Sequence, residues 1–296
     1  MAKLNFGIVG MSEGNGHPYS WSAICNGYNR DHMINCPFPA IPDYLSKQSF
    51  PEDSLGLLGE VTHIWTQERK ISEHIAASSK ISTIVERLED MISHIDAILL
   101  ARDDAENHYR MALPFLRAGI PIFIDKPLAL SVREANKILD SQKSQDQIYT
   151  CSALRFAREL MLTDSDLIEL GEVRLIEGSV MKKWETYGVH LIEPIVAQFA
   201  DRGKLLKVES YNGNGLKQVL IRWQNLRTYL KVTGSIFVPL ELTFYGTKGV
   251  INRKFFDSFN CFKYSLEHFI GLIHGTQENI KKEETLEIVK IIELGI

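Results

Sequence analysis

Three stretches of the sequence hold residue types that could act together in chemistry. The first is Gly10-Met11-Ser12-Glu13-Gly14-Asn15-Gly16, directly after the apolar run from Leu4 to Val9. Glycines at such a turn let the backbone approach a phosphate, and the following helix N-terminus favours negative charge. Gly10, Ser12, Gly14, Gly16 and the adjacent His17 are therefore candidates for a dinucleotide pyrophosphate site. The spacing is not GxGxxG, because Ser12 stands where a second glycine would, so an ordinary strand-to-helix turn stays open. The second stretch is Phe123-Ile124-Asp125-Lys126-Pro127-Leu128-Ala129, a lysine at the end of an apolar run. A lysine can stabilise charge developing on an alkoxide, although one in isolation reads as a surface residue. The third is Trp184-Glu185-Thr186-Tyr187-Gly188-Val189-His190-Leu191-Ile192-Glu193. A histidine can move a proton near neutral pH, although one on an apolar helix is more often a core residue.

A nucleotide site also needs a group for the adenosine ribose. An acidic residue normally ends the second strand and binds the ribose hydroxyls. Here that strand runs into Thr66-Gln67-Glu68-Arg69-Lys70, with no aspartate at the tip. Arg69 and Lys70 could meet a 2′-phosphate, which would favour NADP, or simply begin a solvated helix. NAD and NADP both remain open.

The elements that must position these residues alternate in the first half. Strand-like runs at 4–9, 61–66, 95–101 and 121–124 are separated by helical spacing at 19–28, 67–78, 108–118 and 131–141. Ser82 to Glu86 has the form of a helix cap, with the helix running to about Ile92. This alternation predicts a doubly wound parallel sheet. Residues 31 to 60 carry four prolines, which rule out one continuous helix, and read as a long insertion. The second half changes character. Strand-like runs at 173–181, 206–211, 219–223, 228–234 and 240–245 are separated by turn signals such as Asn212-Gly213-Asn214-Gly215. They predict a largely antiparallel open sheet, closed by amphipathic helices at 264–273 and 283–294. The expected fold is α/β. An N-terminal Rossmann-type domain over 1–126 precedes a C-terminal α+β domain over 127–296, and helix 131–141 could pack on the first.

Composition narrows the partners. The 296 residues are 45% hydrophobic and 24% charged, ordinary for a globular protein of about two domains. A net charge of -4 gives no electrostatic reason to expect nucleic acid. No apolar run approaches the roughly 20 residues of a membrane helix. The opening residues lack the apolar core of a signal peptide, so a cytoplasmic location is expected. Four scattered cysteines form no CxxC pair and read as buried free thiols rather than metal ligands.

The run AGIPIFIDKPLALSVREANKIL, residues 118 to 139, resembles the AGK-x-V-x-x-EKP-x-A segment of a known dehydrogenase family. This is the glucose–fructose oxidoreductase, inositol dehydrogenase and rhizopine catabolism (Gfo/Idh/MocA) family. IDAILLARDDAENH, YGTKGVIN and the closing LEHFIGLIHGTQENIKKEETLEIVKII are similar to other parts of it. The third stretch resembles the family's D-x-G-x-H-x-x-D segment, with Glu193 as a conservative match and Thr186 in place of the first aspartate. The resemblance implies that Lys126 and His190 are catalytic, Lys126 polarising the reacting oxygen and His190 exchanging its proton. It implies a Lys126–Pro127 bond that tends to be cis. Ala101, Asn107, His108 and Thr66 would lie along the cofactor, while Thr186 and Tyr187, and with them Lys182 and Lys183, would face the substrate. Arg102 and Asp103 replace a common Thr-Pro pair, so contacts there must differ. The implied activity is hydride transfer between NAD or NADP and a sugar, cyclitol or nucleotide sugar, by a homo-oligomer joined through the C-terminal sheet. Two alternatives stay open: a sugar- or nucleotide-binding protein that kept the fold without redox activity, and the same fold acting on an imine or a tetrapyrrole.

Overall fold

The computed structural model describes residues 2–296. Contacts within the chain divide it into two compact units. The first comprises residues 1–128, 136–151 and 262–280, and the second 129–135, 152–261 and 281–296.

The first unit is built on six parallel strands. They are β1 (Leu4–Val9), β2 (Gly59–Trp65), β3 (Thr83–Ile84), β4 (Ala97–Leu100), β5 (Ile122–Ile124) and β6 (Ile148–Tyr149), in spatial order 3-2-1-4-5-6. That order is the doubly wound arrangement in which ligands bind beyond the carboxyl ends of the strands, where the winding reverses between β1 and β4. The central strands are continuous apolar runs with both faces covered: every residue of β4 and β5 is buried.

The helices that follow the strands are α1 (His17–Asn26), α2 (Arg30–Met33), α3 (Ala40–Ser46), α4 (Arg69–Ser79), α5 (His108–Ala118) and α6 (Val132–Leu139). Gly119, at φ 80°, ends α5 in the left-handed conformation glycine adopts without penalty. The segment from 31 to 60 covers α1. Tyr44 of α3 donates to the Ser20 hydroxyl at 2.5 Å, and Leu55 N–H bonds the Ile24 carbonyl at 2.8 Å. This is why α1 is buried from Pro18 to Cys25 with no solvent face.

The stretch from Ser82 to Ile92 differs from the expected helix. Thr83–Ile84 pairs with His63 and Ile64 as the edge strand β3, and only Leu88–Met91 forms a short 3-10 turn. The local cap pattern loses to backbone pairing with β2.

The second unit carries a six-stranded sheet in the order β12-β11-β7-β10-β9-β8. Its strands are β7 (Val173–Val180), β8 (Leu205–Gly213), β9 (Leu216–Trp223), β10 (Arg227–Val232), β11 (Glu241–Gly246) and β12 (Val250–Lys254). All neighbours are antiparallel except β10 and β7. β8 turns into β9 at Asn214 and Gly215, both at positive φ, as the Asn-Gly signal predicts. The helices of this unit are α7 (Asp164–Leu170), α8 (Trp184–Tyr187), α9 (Val189–Gln198) and α11 (Lys282–Gly295), while α10 (Ser258–Ile273) belongs to the first unit from Phe262 onward. α10 begins six residues before the expected start at Tyr264. One sheet face packs on α9 and α11 around Trp184, Trp223, Ile192 and Ile292. Burying each such side chain contributes roughly 1.5–3 kcal/mol. Trp184 also donates its indole N–H to the Ile292 carbonyl at 3.0 Å, which ties α8 to α11.

All four cysteines are buried free thiols. Among the described residues no helix is long and apolar enough to cross a membrane.

Candidate active site

The turn after β1 is tied to its neighbours through side chains. Met11 N–H donates to the Gln67 amide oxygen at 3.0 Å, and Gln67 donates back to the Met11 carbonyl at 2.7 Å. Arg102, in the loop after β4, donates to the same two oxygens at 2.9 and 3.0 Å. Ser12 donates to Asp103 at 2.6 Å and accepts from the Asp103 backbone at 3.1 Å. The loops after β1, β2 and β4 are thus one hydrogen-bonded assembly. The Arg102 and Asp103 pair, which departs from the resembled pattern, supplies much of it.

The same turn keeps amides for a ligand. Those of Ser12, Glu13, Gly14 and Gly16 make no hydrogen bond among the described residues. Gly14 sits at φ 76°, where a side chain would strain the backbone. An added Cβ on Gly16 would meet Ile41 at 2.6 Å and Phe38 at 2.7 Å. The insertion therefore packs on the turn as well as on α1. Successive unpaired amides ahead of a helix form a concavity suited to phosphate oxygens.

At the end of β5, Asp125 is 1% exposed and Lys126 is 4% exposed. The Asp125 carboxylate accepts from Asn15 at 2.8 Å, from His17 Nδ1 at 2.6 Å and from the Lys126 amide at 2.8 Å. Because a carboxylate only accepts, His17 carries its proton on Nδ1. Burial alone would push the Asp125 carboxyl up. The charges of His17 and Lys126 and the hydrogen bonds from His17 and Asn15 outweigh it and bring it down to about 2. The His17 ring stacks on Trp21 with centroids 5.1 Å apart. Lys126 Nζ is 3.4 Å from Asp103, the acceptor of the Ser12 hydroxyl. Gly10, Ser12, Gly14, Gly16, His17 and Lys126 are thereby brought into one connected cluster, and the Lys126–Pro127 peptide is cis.

Other expected cofactor residues are engaged elsewhere. The Thr66 hydroxyl serves the Glu68 carbonyl and Ser72 at the start of α4. Arg69 pairs with Glu73 and Glu86. Ala101 is buried, its N–H on the Val9 carbonyl at 2.9 Å. Asn107 donates to Asp104 at 2.6 Å. His108 is fully buried, its ring between the Leu128 and Arg102 carbonyls at 3.0 and 2.8 Å. It fastens two loops through the protein's own backbone.

In the second unit, His190 is 9% exposed on α9. Its Nδ1 lies 2.8 Å from the hydroxyl of Ser152. Gly188 keeps helical angles between α8 and α9, so Thr186 lies one turn before His190 on continuous helical backbone. The Tyr187 ring meets the His190 ring edge-on at 5.1 Å. Lys182 Nζ lies 4.3 Å over the Tyr187 ring and bonds its hydroxyl. Glu193 is buried against Arg155 at 2.6 Å. Burial pushes its carboxyl up, although Arg155 opposes this. Arg155 also pairs with Glu284, so Glu193 ties α9 to α11.

Local sequence patterns do not single out Asn15, Asp125 or Ser152 as site residues. Asp125 left a trace, an acid closing the apolar run PIFI. Ser152 left none.

The model of the oxidoreductase family with NAD-binding Rossmann fold, Gfo/Idh/MocA, matches residues 4–152, half of the chain. The chain belongs to this family. Among curated proteins none matches it. Solved structures share its fold over nearly the whole length. A candidate myo-inositol dehydrogenase from Sinorhizobium meliloti 1021 aligns with TM-score 0.73 at 13% identity, covering 99% of this chain and 96% of that one. A scyllo-inositol dehydrogenase from Lactobacillus casei, solved with NAD(H) and scyllo-inositol, aligns with TM-score 0.71 at 13% identity, covering 99% and 96%. A biliverdin reductase from Synechocystis sp. PCC 6803, solved with biliverdin and NADP+, aligns with TM-score 0.69 at 13% identity, covering 98% and 97%. Family membership makes the cofactor a nicotinamide dinucleotide. The free amides of the β1–α1 turn suit its pyrophosphate, and the turn lies at the carboxyl edge of the sheet where the fold holds such ligands.

Proposed function

We propose that this chain transfers hydride between C4 of a nicotinamide and a ring carbon of a sugar, cyclitol or nucleotide sugar. Lys126 carries the proposal. A lysine that is 4% exposed and paired with Asp103, at the carboxyl end of a parallel strand, holds a cation at the edge of the sheet where this fold takes its ligands. Placed beside the reacting oxygen, it stabilises the charge that develops as hydride leaves or arrives. His190 exchanges the hydroxyl proton, acting as general base in oxidation. Gly10, Ser12, Gly14, Gly16 and His17 hold the pyrophosphate. The cofactor supplies the redox chemistry, and the chain supplies position and field. Tyr187, Thr186 and Lys182 face the substrate. Arg69 is the cation for a 2′-phosphate if NADP is the partner.

The protein works in the cytoplasm as a homo-oligomer joined through the second sheet. Tyr229 and Val250 on that sheet are 38% and 55% exposed, and a groove of about 610 Å³ runs past Leu206, Arg222 and Tyr229. Two observations favour a second reading, a binding protein without hydride transfer. Thr186 cannot act as an acid, and the Met11 peptide is already bonded to Gln67 on both sides. Tetrapyrrole reduction is the third reading, consistent with the biliverdin reductase likeness.

The test is turnover. The purified protein is offered NAD+ and NADP+ with a panel of inositols, hexoses and nucleotide sugars. Once a substrate is found, Lys126→Ala and His190→Ala are compared with wild type. Intact turnover in both variants would overturn the assignment. Cofactor binding without oxidation of any polyol supports the second reading.

A further inference from the structure

We propose that the hydroxyl of Ser152 sets the tautomer of His190, so that the neutral ring rests with its proton on Nε2. The proposal builds on His190 as the acid–base group and adds which nitrogen is armed. Ser152 is fully buried, and its Oγ lies 2.8 Å from His190 Nδ1. The same oxygen accepts from Leu154 N–H at 3.2 Å. A hydroxyl has one proton and two lone pairs. Leu154 takes a lone pair, and the proton still needs an acceptor in a place water does not reach. Leu154 N–H cannot accept, so the proton goes to Nδ1. An Nδ1 that accepts carries no proton, and the neutral imidazole then keeps its proton on Nε2.

This is the reverse of a histidine backed by a carboxylate, which accepts from Nδ1–H and leaves the Nε2 lone pair ready as a base. Thr186 supplies no such carboxylate. A neutral His190 is thus a hydrogen-bond donor through Nε2, suited to polarising a carbonyl oxygen. To act as a base at Nε2 the ring must first change tautomer: the Nε2 proton leaves, Nδ1 gains one, and the Ser152 hydroxyl turns to accept from it. Ser152 is a positioning residue, acting on the substrate through His190.

Nitrogen-15 NMR of the histidine rings reads the tautomer directly and needs no substrate. The full chain is labelled at its nine histidines, and His190→Gln identifies the His190 signals. At about pH 8, where an ordinary histidine is neutral, the His190 ring is expected to show Nε2 protonated and Nδ1 bare. In Ser152→Ala the ratio of Nε2–H to Nδ1–H falls about fivefold to tenfold, the change one ordinary hydrogen bond supports. Ser152→Thr, which keeps the hydroxyl, restores it. The other eight rings report whether each variant is folded. A wild-type ring protonated on Nδ1, or a ratio unmoved by Ser152→Ala, overturns the proposal. Failure of the dehydrogenase reading would appear separately, as absent nicotinamide binding with the ring spectrum unchanged.

Discussion

Lys126 and His190 sit in settings of opposite character. Around Lys126 the neighbours are carboxylates: Asp103 at 3.4 Å, and the buried Asp125 that His17 also bonds. Beside them Arg102 holds Asp104, whose carboxyl burial would raise but Arg102 and Asn107 lower. Around His190 the partner of Nδ1 is a neutral hydroxyl. Charged partners fix a cation firmly, but each depends on the others, because a buried charge left alone is costly. A hydroxyl holds a ring with less energy, yet it can donate or accept. The first region should therefore break in stability when cut, and the second in protonation state.

The largest expected effect comes from the charged region. Removing the lysine in Lys126→Ala lowers kcat by about 100-fold to 1,000-fold, the range for deleting one preorganised donor at a developing charge. Turnover of an identified polyol checks it. Asp125→Asn leaves His17 and Lys126 without their shared carboxylate and costs about 3 kcal/mol in denaturant unfolding. The sign with pH follows from the shift. The folded carboxyl is held at about 2, below the roughly 3.9 of a free aspartate. Its stabilisation is complete above about pH 4 and is lost as pH falls toward 2. Melting temperatures of wild type and Asp125→Asn should converge over that window and stay apart at neutral pH.

A smaller effect lies at the turn. Gly16→Ala forces a methyl against Phe38 and Ile41. Overpacking of this kind costs about 1–3 kcal/mol, and the disturbed turn should also weaken NADH binding. The smallest effect sharpens the cofactor question. Arg69 is 56% exposed, and its ion pairs are at the surface. Arg69→Ala should change stability by less than about 0.5 kcal/mol. If the partner is NADP, it weakens NADPH but not NADH in parallel titrations.

The sequence carried the frame of the molecule well. The α5 span from His108 to Ala118 was readable because Gly119 stops it, and β4 because its apolar run leaves no other reading. Thr83–Ile84 reads as helix in sequence because Ser82 and Glu86 mimic a helix cap, while the pairing that decides the matter comes from β2. β6 and the short α7 have too few residues to show a period. Of the candidate site, glycines and motif residues were visible as local patterns. Asn15 with Asp125, and Ser152 with His190, were not. Those partners lie 110 and 38 positions apart, and folding alone brings them together.

Nicotinamide binding tests the central claim most directly. Purified protein is titrated with NADH and NADPH while nicotinamide fluorescence is followed. Saturable binding of one or both is the predicted result, and the stronger of the two names the cofactor. No binding of either at millimolar concentration would contradict the account, since the amides of the β1–α1 turn would then hold no dinucleotide.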